Sequence, residues 1–457
     1  MQKQAKTVDL TTGPLLPKII VFALPLAASG ILQLLFNAAD VVVVGRFAGS
    51  AALAAVGSTV SLINLLVNLF IGMSVGANVV AARALGARDN TAVSQTVHTA
   101  VLLSLISGVL LAIIGVGLSP QLLEWMGSPE DVIGLATLYL RIYFVGMPAT
   151  MLYNFGAALL RAAGDTRRPL YCLALAGVIN VGLNLFFVIR MQLSVAGVAL
   201  ATIISQLVSA ALVVVILMRE TGPLHFDWKQ MKLHGAVLLQ IVRIGLPAGL
   251  QGMVFSLSNV VIQSAINSFG SIVVAGNSAA SSIEGFVYVA MNSCYQACLT
   301  FTSQNVGARK YENINRVLFT CIGCAVVIGT VLGVGCTVLG APLCGIYSSD
   351  PAVIAAGVGR LRIICSLYAL CGIMDVTVGG LRGLGCSVMP MVVSLLGSCA
   401  LRLVWVATVF RMVGTIQSLY ISYPITWALT AAAHLICFAI VRRKFLPGQA
   451  PAPHNPE

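Results

Sequence analysis

The segment IIVFALPLAASGILQLLFNAADVVVVG, residues 19–45, decides the architecture because it is long enough to cross a lipid bilayer. It has 27 residues (45 − 19 + 1) and one formal charge, Asp40, with Lys18 and Arg46 as end anchors. Asp40 lies 22 residues beyond Lys18. That spacing is roughly 33 Å along a helix and predicts a carboxylate in the outer half of the membrane. An ionisable group at such a depth is costly and is a candidate functional residue.

The whole sequence has the composition of a polytopic membrane protein. Of its 457 residues, 58% are hydrophobic and 9% are charged, and the mean hydropathy is +0.97. A soluble domain carries about 25% charged residues, so the partner expected for most of this surface is the lipid bilayer. The net charge of +12 comes largely from basic loops on one side of the membrane, and we expect no nucleic-acid partner.

Apolar segments predict twelve membrane spans and therefore an all-α fold. Basic loop residues number 18 on the side of the amino terminus and 3 on the opposite side. The positive-inside rule then places both termini in the cytoplasm, and the expected location is the bacterial cytoplasmic membrane. The predicted spans are 17–45, 51–82, 92–118, 131–157, 168–190, 195–218, 235–266, 272–303, 314–339, 351–379, 388–410 and 417–441.

An internal repeat organises these spans. At a constant offset of 221 residues, Gly86–Arg88 recurs as Gly307–Arg309, and Leu160-Arg161 recurs as Leu381-Arg382. Six spans in each repeat return the chain to the same side, which predicts two six-helix bundles related by a pseudo-two-fold axis along the membrane normal. Parallel repeats of this kind bracket a central substrate site in transporters.

The repeat also predicts the division of the chain. The expected parts are a cytoplasmic segment at 1–16, an amino-terminal bundle at 17–218, a cytoplasmic linker at 219–234, a carboxyl-terminal bundle at 235–441 and a cytoplasmic tail at 442–457.

Polar side chains of the first bundle predict an ion-coupling site around Asp40. Asn37 precedes it by one helical turn, and Asn180 and Asn184 share a face of another span. Tyr139 and Thr202 come from two further spans. The coupling ion would be a proton or sodium, with sodium at Asp40 as the candidate metal ion and no other cofactor. Asparagine and threonine also act as packing contacts between helices, and the pattern leaves that alternative open.

The second bundle carries different polar residues, which predict substrate binding. Glu284 and Asp375 lie within its spans, whereas the repeat places the apolar residues Val261–Ile262 opposite Asp40. Arg402 lies near mid-membrane and needs a carboxylate partner, for which Asp375 or Glu284 is expected. Whether that pair is structural or a gate stays open. Gln251 and Phe255 complete the predicted substrate-binding set.

Five phrases resemble the multidrug and toxic compound extrusion (MATE) transporters, in their prokaryotic branch of DNA-damage-inducible and staphylococcal-type exporters. They are DVVVVGRFAGSAALAAVG at 40–57, GMSVGANVVAARALGARD at 72–89, LLRAAGDTRRP at 159–169, FTSQNVGARKYE at 301–312 and GGLRGLG at 379–385. The resemblance implies two bundles of six helices and export of organic cations driven by inward flow of sodium or protons.

Individual positions follow from the same resemblance. Asp40 stands where the family keeps a first-helix acid, Asn180 matches a family asparagine, and Asp375 matches an acid of the tenth span. Asn184 stands where many members carry aspartate, which favours protons over sodium. Phe255 replaces a glutamate found in one subgroup.

The function predicted is therefore a monomeric secondary active antiporter that exports organic cations or amphiphiles by alternating access. The alternative is a flippase or exporter of a lipid-linked or other amphiphilic metabolite. A membrane-embedded enzyme is disfavoured, because the sequence has no HExxH, Walker loop or GxSxG motif in its proper context.

Overall fold

The computed structural model describes residues 9–126 and 130–444, without the side chains of Ser50 and Asp131. Within these ranges the chain is helical and contains no β-strand. Two predicted segments lie partly outside them: the cytoplasmic segment 1–16 before residue 9 and the tail 442–457 after residue 444. Residues 127–129, between the predicted spans 92–118 and 131–157, also lie outside the described ranges.

The described ranges contain α-helices joined by short connections, with π-helical turns at Phe186–Arg190, Leu395–Ala400 and Val406–Phe410 and 3₁₀ turns at Trp228–Gln230 and Cys365–Leu367. The α-helices are α1 (Leu15–Phe47), α2 (Ser50–Gly86), α3 (Asn90–Trp125), α4 (Glu130–Val145), α5 (Met147–Ala162), α6 (Arg167–Leu185), α7 (Ser194–Arg219), α8 (Gly235–Asn267), α9 (Ser271–Gly307), α10 (Asn313–Val338), α11 (Gly340–Gly345), α12 (Pro351–Ile364), α13 (Ala369–Gly383), α14 (Val388–Ser394), α15 (Leu401–Trp405), α16 (Arg411–Val413) and α17 (Ile416–Arg443).

Length and composition confirm the predicted twelve-span membrane fold. Ten helical segments of the described chain are individually long and apolar enough to cross a membrane. Two further spans are helix pairs, α4 with α5 and α12 with α13, each bent by 48°. The predicted span 131–157 is bent: the helix breaks at Gly146, because Pro148 lies in the first turn of the next helix and has no backbone N–H to continue the hydrogen-bond ladder.

The predicted repeat extends to backbone detail. Helices α2 and α9 are both 37 residues long, and their first and last residues are offset by 221 positions. Gly49 and Gly270, at the same offset, precede them with φ of 92° and 88°. Arg88 and Arg309 share a φ of 56°, in the left-handed region that residues other than glycine rarely adopt. Two copies of one backbone therefore carry different side chains.

Contacts divide the chain into two compact units. One unit contains Ala28–Met253, and the other contains Leu10–Ala27 with the chain from Val254 onward. The amino-terminal halves of α1 and α8 are thus exchanged between the two repeats, and each exchange ends shortly after an internal proline, Pro25 or Pro247. This division differs from the bundles expected at 17–218 and 235–441.

In the first unit, the exchanged half of α8 crosses α2 at two pairs of glycines. A Cβ atom on Gly72 would lie 2.1 Å from the backbone nitrogen of Gly249, and one on Gly76 would lie 2.9 Å from the backbone nitrogen of Gly245. Only glycine permits backbones to approach this closely. The crossing anchors the exchanged segment by main-chain packing.

In the second unit, the exchanged half of α1 packs through large side chains instead. Ile19 and Phe22 are buried together with residues of α9, α10 and α17. The rings of Phe22 and Phe301 meet edge to face with their centroids 5.6 Å apart. Both units are therefore completed by a half-helix from the other repeat, with different packing chemistry.

Candidate ion-coupling and substrate-binding sites

The site around Asp40 lies where the second half of α1 packs against α6 in the first unit. Gly177 makes this approach possible, because a Cβ atom there would lie 1.7 Å from the Phe36 ring. Phe36 and Asp40 are four residues apart on one face of α1, and Asn180 and Asn184 follow Gly177 on one face of α6. The contact therefore brings Asp40 against the two asparagines.

A hydrogen-bond chain joins the three side chains. Asn184 Nδ2 donates to Asp40 Oδ1 and to Asn180 Oδ1, the latter at 3.2 Å. Asn184 is fully buried and Asn180 nearly so, whereas Asp40 is half-buried. Asn184 Oδ1 has no hydrogen-bond partner among the described residues. The cluster offers a carboxylate and amide oxygens, which can bind a proton or a hard cation.

Tyr139 is the fourth predicted residue that the structure brings to this cluster. It stacks on Tyr143 with ring centroids 5.9 Å apart, and both hydroxyls lie within electrostatic range of the Asp40 carboxylate. Asn37 and Thr202 are placed differently. Asn37 is exposed, and the Thr202 hydroxyl donates to the carbonyl oxygen of Val198 in its own helix at 3.0 Å.

In the second unit, Glu284 forms a buried, two-pronged ion pair with Arg360. Arg360 Nε donates to Glu284 Oε1 at 2.9 Å and Nη2 to Oε2 at 2.7 Å. Arg360 Nη1 also donates to Asn277 Oδ1 at 2.5 Å. Both charged residues are 6% exposed. The predicted pairing of Glu284 with Arg402 was wrong, because Arg360 occupies both carboxylate oxygens.

Arg360 was missed in the sequence because Arg362 stands beside it in the same span and nothing local distinguishes the two. One signal could have found it: at the offset of 221 it corresponds to Tyr139, a residue predicted to face the interior. A buried glutamate with a buried arginine at a core position is the pairing that lowers the cost of both charges.

Arg402 makes no salt bridge with any aspartate or glutamate of the described chain. Its guanidinium carbon lies 4.1 Å from the centroid of the Tyr423 ring, and Nη2 donates to Thr426 Oγ1 at 3.0 Å. The side chain is 3% exposed, and its Nε has no acceptor among the described residues. A pairing of Arg402 with Asp375 is therefore also absent from this part of the chain.

Asp375 has other neighbours, which explains why it does not reach Arg402. It lies in electrostatic range of the Tyr288 hydroxyl and of Arg382. Tyr288 is 40% exposed, so this carboxylate lies beside an accessible aromatic ring.

The last two predicted substrate-binding residues lie in different units. Gln251 is buried and belongs to the first unit, whereas the half-buried Phe255 belongs to the second.

Comparison with known proteins decides the family. The MatE family model matches residues 25–186 and matches again over residues 247–408. The chain belongs to the MatE family. The two matched copies begin at Pro25 and Pro247, the internal prolines of α1 and α8, a few residues before the exchanged segments end at Ala27 and Met253. Members of this family are transporters rather than enzymes, so this chain is a multi-pass membrane transporter.

Relatives and a solved structure agree with this family. The probable multidrug resistance protein YoeA of Bacillus subtilis is 28% identical over 382 residues, 82% of either chain. An FAD transporter of Shewanella oneidensis is 25% identical over 431 residues, 92% of this chain and 93% of the relative. The outward-facing structure of a multidrug resistance MATE family transporter of the MOP superfamily matches with a TM-score of 0.90 at 22% identity, covering 97% of this chain and 99% of that one. This last likeness shows the MatE fold.

Proposed function

We propose that this MatE family transporter is a secondary active antiporter that exports amphiphilic small molecules in exchange for an ion bound at Asp40. The observation that carries the proposal is the hydrogen-bond chain from Asp40 through Asn184 to Asn180, inside two membrane-spanning helices. An acid held at such a depth has a functional role by default. The name of the Bacillus relative, a probable multidrug resistance protein, supports export as the direction.

The proposed coupling step is a change of charge at Asp40. A proton or sodium ion arriving at the carboxylate neutralises it and weakens the charge-assisted hydrogen bond from Asn184. The second half of α1 is then free to move relative to α6, with the bend supplied near Pro25. The protein works by alternating access as a monomer with both termini in the cytoplasm, and it needs no cofactor beyond the ion. Because Asn184 adds no second carboxylate, protons are the favoured ion.

Organic cations are the proposed substrates. Arg360 already neutralises Glu284, so Asp375 is the acid of the second unit that remains for a cation. Its neighbour Tyr288 offers an accessible aromatic face, and aromatic faces attract cations. Glu284 accordingly acts through Arg360 and shapes the site without contacting the substrate.

A second candidate function is export of another amphiphilic metabolite, including a lipid-linked one. Two observations favour it: a relative covering almost the whole chain is named an FAD transporter, and Arg402 carries a buried positive charge without a salt bridge in the described chain. An anionic metabolite would meet this charge favourably.

The proposal is tested with purified protein in proteoliposomes, in which a proton gradient or a sodium gradient is imposed separately while export of a cationic dye is followed. Asp40→Asn should fold and insert but lose gradient-driven export. Gln33→Leu is the matched control, because Gln33 is an exposed polar residue of the same helix, outside the proposed site. Full export by Asp40→Asn would remove Asp40 from the mechanism. Export that follows sodium at fixed pH would assign sodium as the ion.

A further inference from the structure

The repeat places a basic cluster in the second unit where the first unit has its acidic site. At the offset of 221, Tyr139 corresponds to Arg360 and Thr202 corresponds to Tyr423. The counterparts of Asp40 are the apolar Val261–Ile262, and Ile262 is 1% exposed in the core of its unit. The second copy has thus lost the carboxylate of this location and has gained arginines around it.

A π-helical turn explains how Arg402 enters this cluster. The counterpart of Asn180 is Leu401, but Leu401 is half-buried and Arg402 beside it is buried. Leu395–Ala400 forms a π turn that ends two residues before Arg402, whereas the corresponding residues of α6 are regularly α-helical. A π turn takes up an extra residue, which rotates the side chains that follow it, and such turns occur frequently at functional sites.

The charges of this cluster do not balance. Arg360 is neutralised by Glu284, with Asn277 as a further acceptor. Arg402 is also buried, at 3% exposed, and is close enough to Arg360 for the two cations to repel each other. Its described partners are the Thr426 hydroxyl and the Tyr423 ring, and its Nε has no acceptor among the described residues. One buried positive charge therefore stays uncompensated by the described chain, an arrangement that is costly unless an anion completes it.

A group of aromatic rings begins at Tyr423, the ring against Arg402. The guanidinium carbon of Arg360 lies 5.6 Å from the centroid of the Tyr423 ring, so the two arginines share that ring. The Tyr423 and Trp427 rings meet edge to face with centroids 5.8 Å apart, and Tyr368 packs on Trp427 at 5.3 Å. An aromatic ligand with an acidic group could therefore contact the guanidinium through its acid and the aromatic rings through its own ring.

We propose that Arg402, on the Tyr423 ring, binds the acidic group of an aromatic transport substrate, a carboxylate or a phosphate. The proposal rests on the proposed function, because it specifies a substrate class for the same exporter. Arg402 is 3% exposed in this conformation, so the substrate reaches it when the helices around it separate. The π turns on either side of α15 give this span places at which its packing can change.

The test compares two dyes that differ in one group: rhodamine 6G, an ethyl ester, and its hydrolysed free acid, rhodamine 19. Both keep the cationic aromatic ring system, and only the acid carries a carboxylate. Binding is measured by fluorescence anisotropy on purified protein in detergent without any ion gradient, so the result does not depend on coupling or transport. A failure here with normal gradient-driven export overturns only this inference, whereas normal binding with no export overturns only the proposed function.

Wild-type protein should bind the acid more tightly than the ester. Arg402→Gln should weaken binding of the acid about tenfold or more, in keeping with the loss of a charge-assisted hydrogen bond, and should spare the ester. Arg402→Lys, which keeps the charge without the planar fork of donors, should restore part of the preference. Arg411→Gln is the matched control, because Arg411 is exposed in the same span.

Three results would overturn the inference. One is equal or weaker binding of the acid by wild-type protein, which needs no variant to fold. Another is an equal loss of both dyes in Arg402→Gln. The last is a change of tryptophan fluorescence on adding sodium chloride or sodium phosphate alone that Arg402→Gln abolishes, because the anion would then be a free inorganic ion rather than part of a substrate.

Discussion

The Asp40 cluster of the first unit and the Arg402 cluster of the second occupy corresponding places in one repeated backbone, yet they carry opposite charges. In the first, a half-buried carboxylate accepts a hydrogen bond from Asn184, which also donates to Asn180. In the second, a buried guanidinium lies on an aromatic ring beside an ion pair that is already complete. The repeat preserves helix lengths and left-handed turns, and it changes the chemistry of the interior. The two halves of a duplicated scaffold can thus bind different ligands, the coupling ion in one half and the substrate in the other.

The largest effect is expected from breaking the Glu284–Arg360 ion pair, which the second cluster contains and the Asp40 cluster lacks. Glu284→Gln leaves the buried Arg360 without its counter-charge and should lower the free energy of unfolding by about 3–5 kcal/mol. The double variant Glu284→Gln with Arg360→Met should recover most of that loss. Thermal unfolding of the purified proteins in detergent measures both. Equal melting temperatures for wild type and Glu284→Gln would show that the pair contributes nothing to stability.

A smaller effect is expected where the two units differ in how they hold their exchanged half-helix. A Cβ atom on Gly249 would lie 2.1 Å from the carbonyl oxygen of Leu69, so Gly249→Ala should destabilise the first unit by about 1–3 kcal/mol. Gly252→Ala is the matched control on the same helix, because its nearest neighbour, Asn68 Cβ, lies at 3.5 Å. If the two variants unfold at the same temperature, the crossing tolerates separation of its backbones.

Adding a second negative charge to the Asp40 cluster tests whether this cluster selects the coupling ion. Asn184→Asp places a second carboxylate beside Asp40, where the first already lies within hydrogen-bond distance of the asparagine. More carboxylate oxygen favours sodium, so export driven by a sodium gradient at fixed pH should rise several-fold relative to wild type. Asn37→Asp is the control, since Asn37 is exposed and has no hydrogen bond to Asp40. An unchanged sodium response would mean that the cluster does not select the ion.

The smallest effect is expected from Asp375, an acid of the second unit that forms no salt bridge with the described residues. Asp375→Asn should weaken export of cationic substrates several-fold and leave neutral ones unchanged, because only a cation gains from the carboxylate beside Tyr288. Dye export is measured for a cationic and a neutral compound in the same proteoliposomes. An equal loss of both would indicate that Asp375 serves folding or coupling.

The sequence was sufficient for the features that depend on local pattern. Twelve spans follow from continuous apolar runs, and the offset of 221 follows from recurring phrases such as Gly86–Arg88. The Asp40 cluster was predictable because Asn180 and Asn184 share one helix face and few side chains within the spans can satisfy a carboxylate. The bend at Gly146 was missed, although Pro148 marks it.

Features that depend on distant contacts were not predictable in the same way. Arg360 and Glu284 are 76 residues apart, and nothing local distinguishes Arg360 from Arg362 or Arg402 as the partner. The exchange of half-helices escaped prediction because every residue of α1 and α8 is compatible with either unit by hydropathy. The position of Arg402 depends on a π turn, for which the sequence LLGSCA carries no recognised signal.

The exchanged half-helices also set an order for biosynthesis. The first unit is complete only when the chain up to Met253 has left the ribosome, well past the linker at 219–234. The first half of α1 waits longer still, because its partners include Phe301 of α9 and Phe438 of α17. The first half of α1 is thus synthesised before most of the helices against which it finally packs.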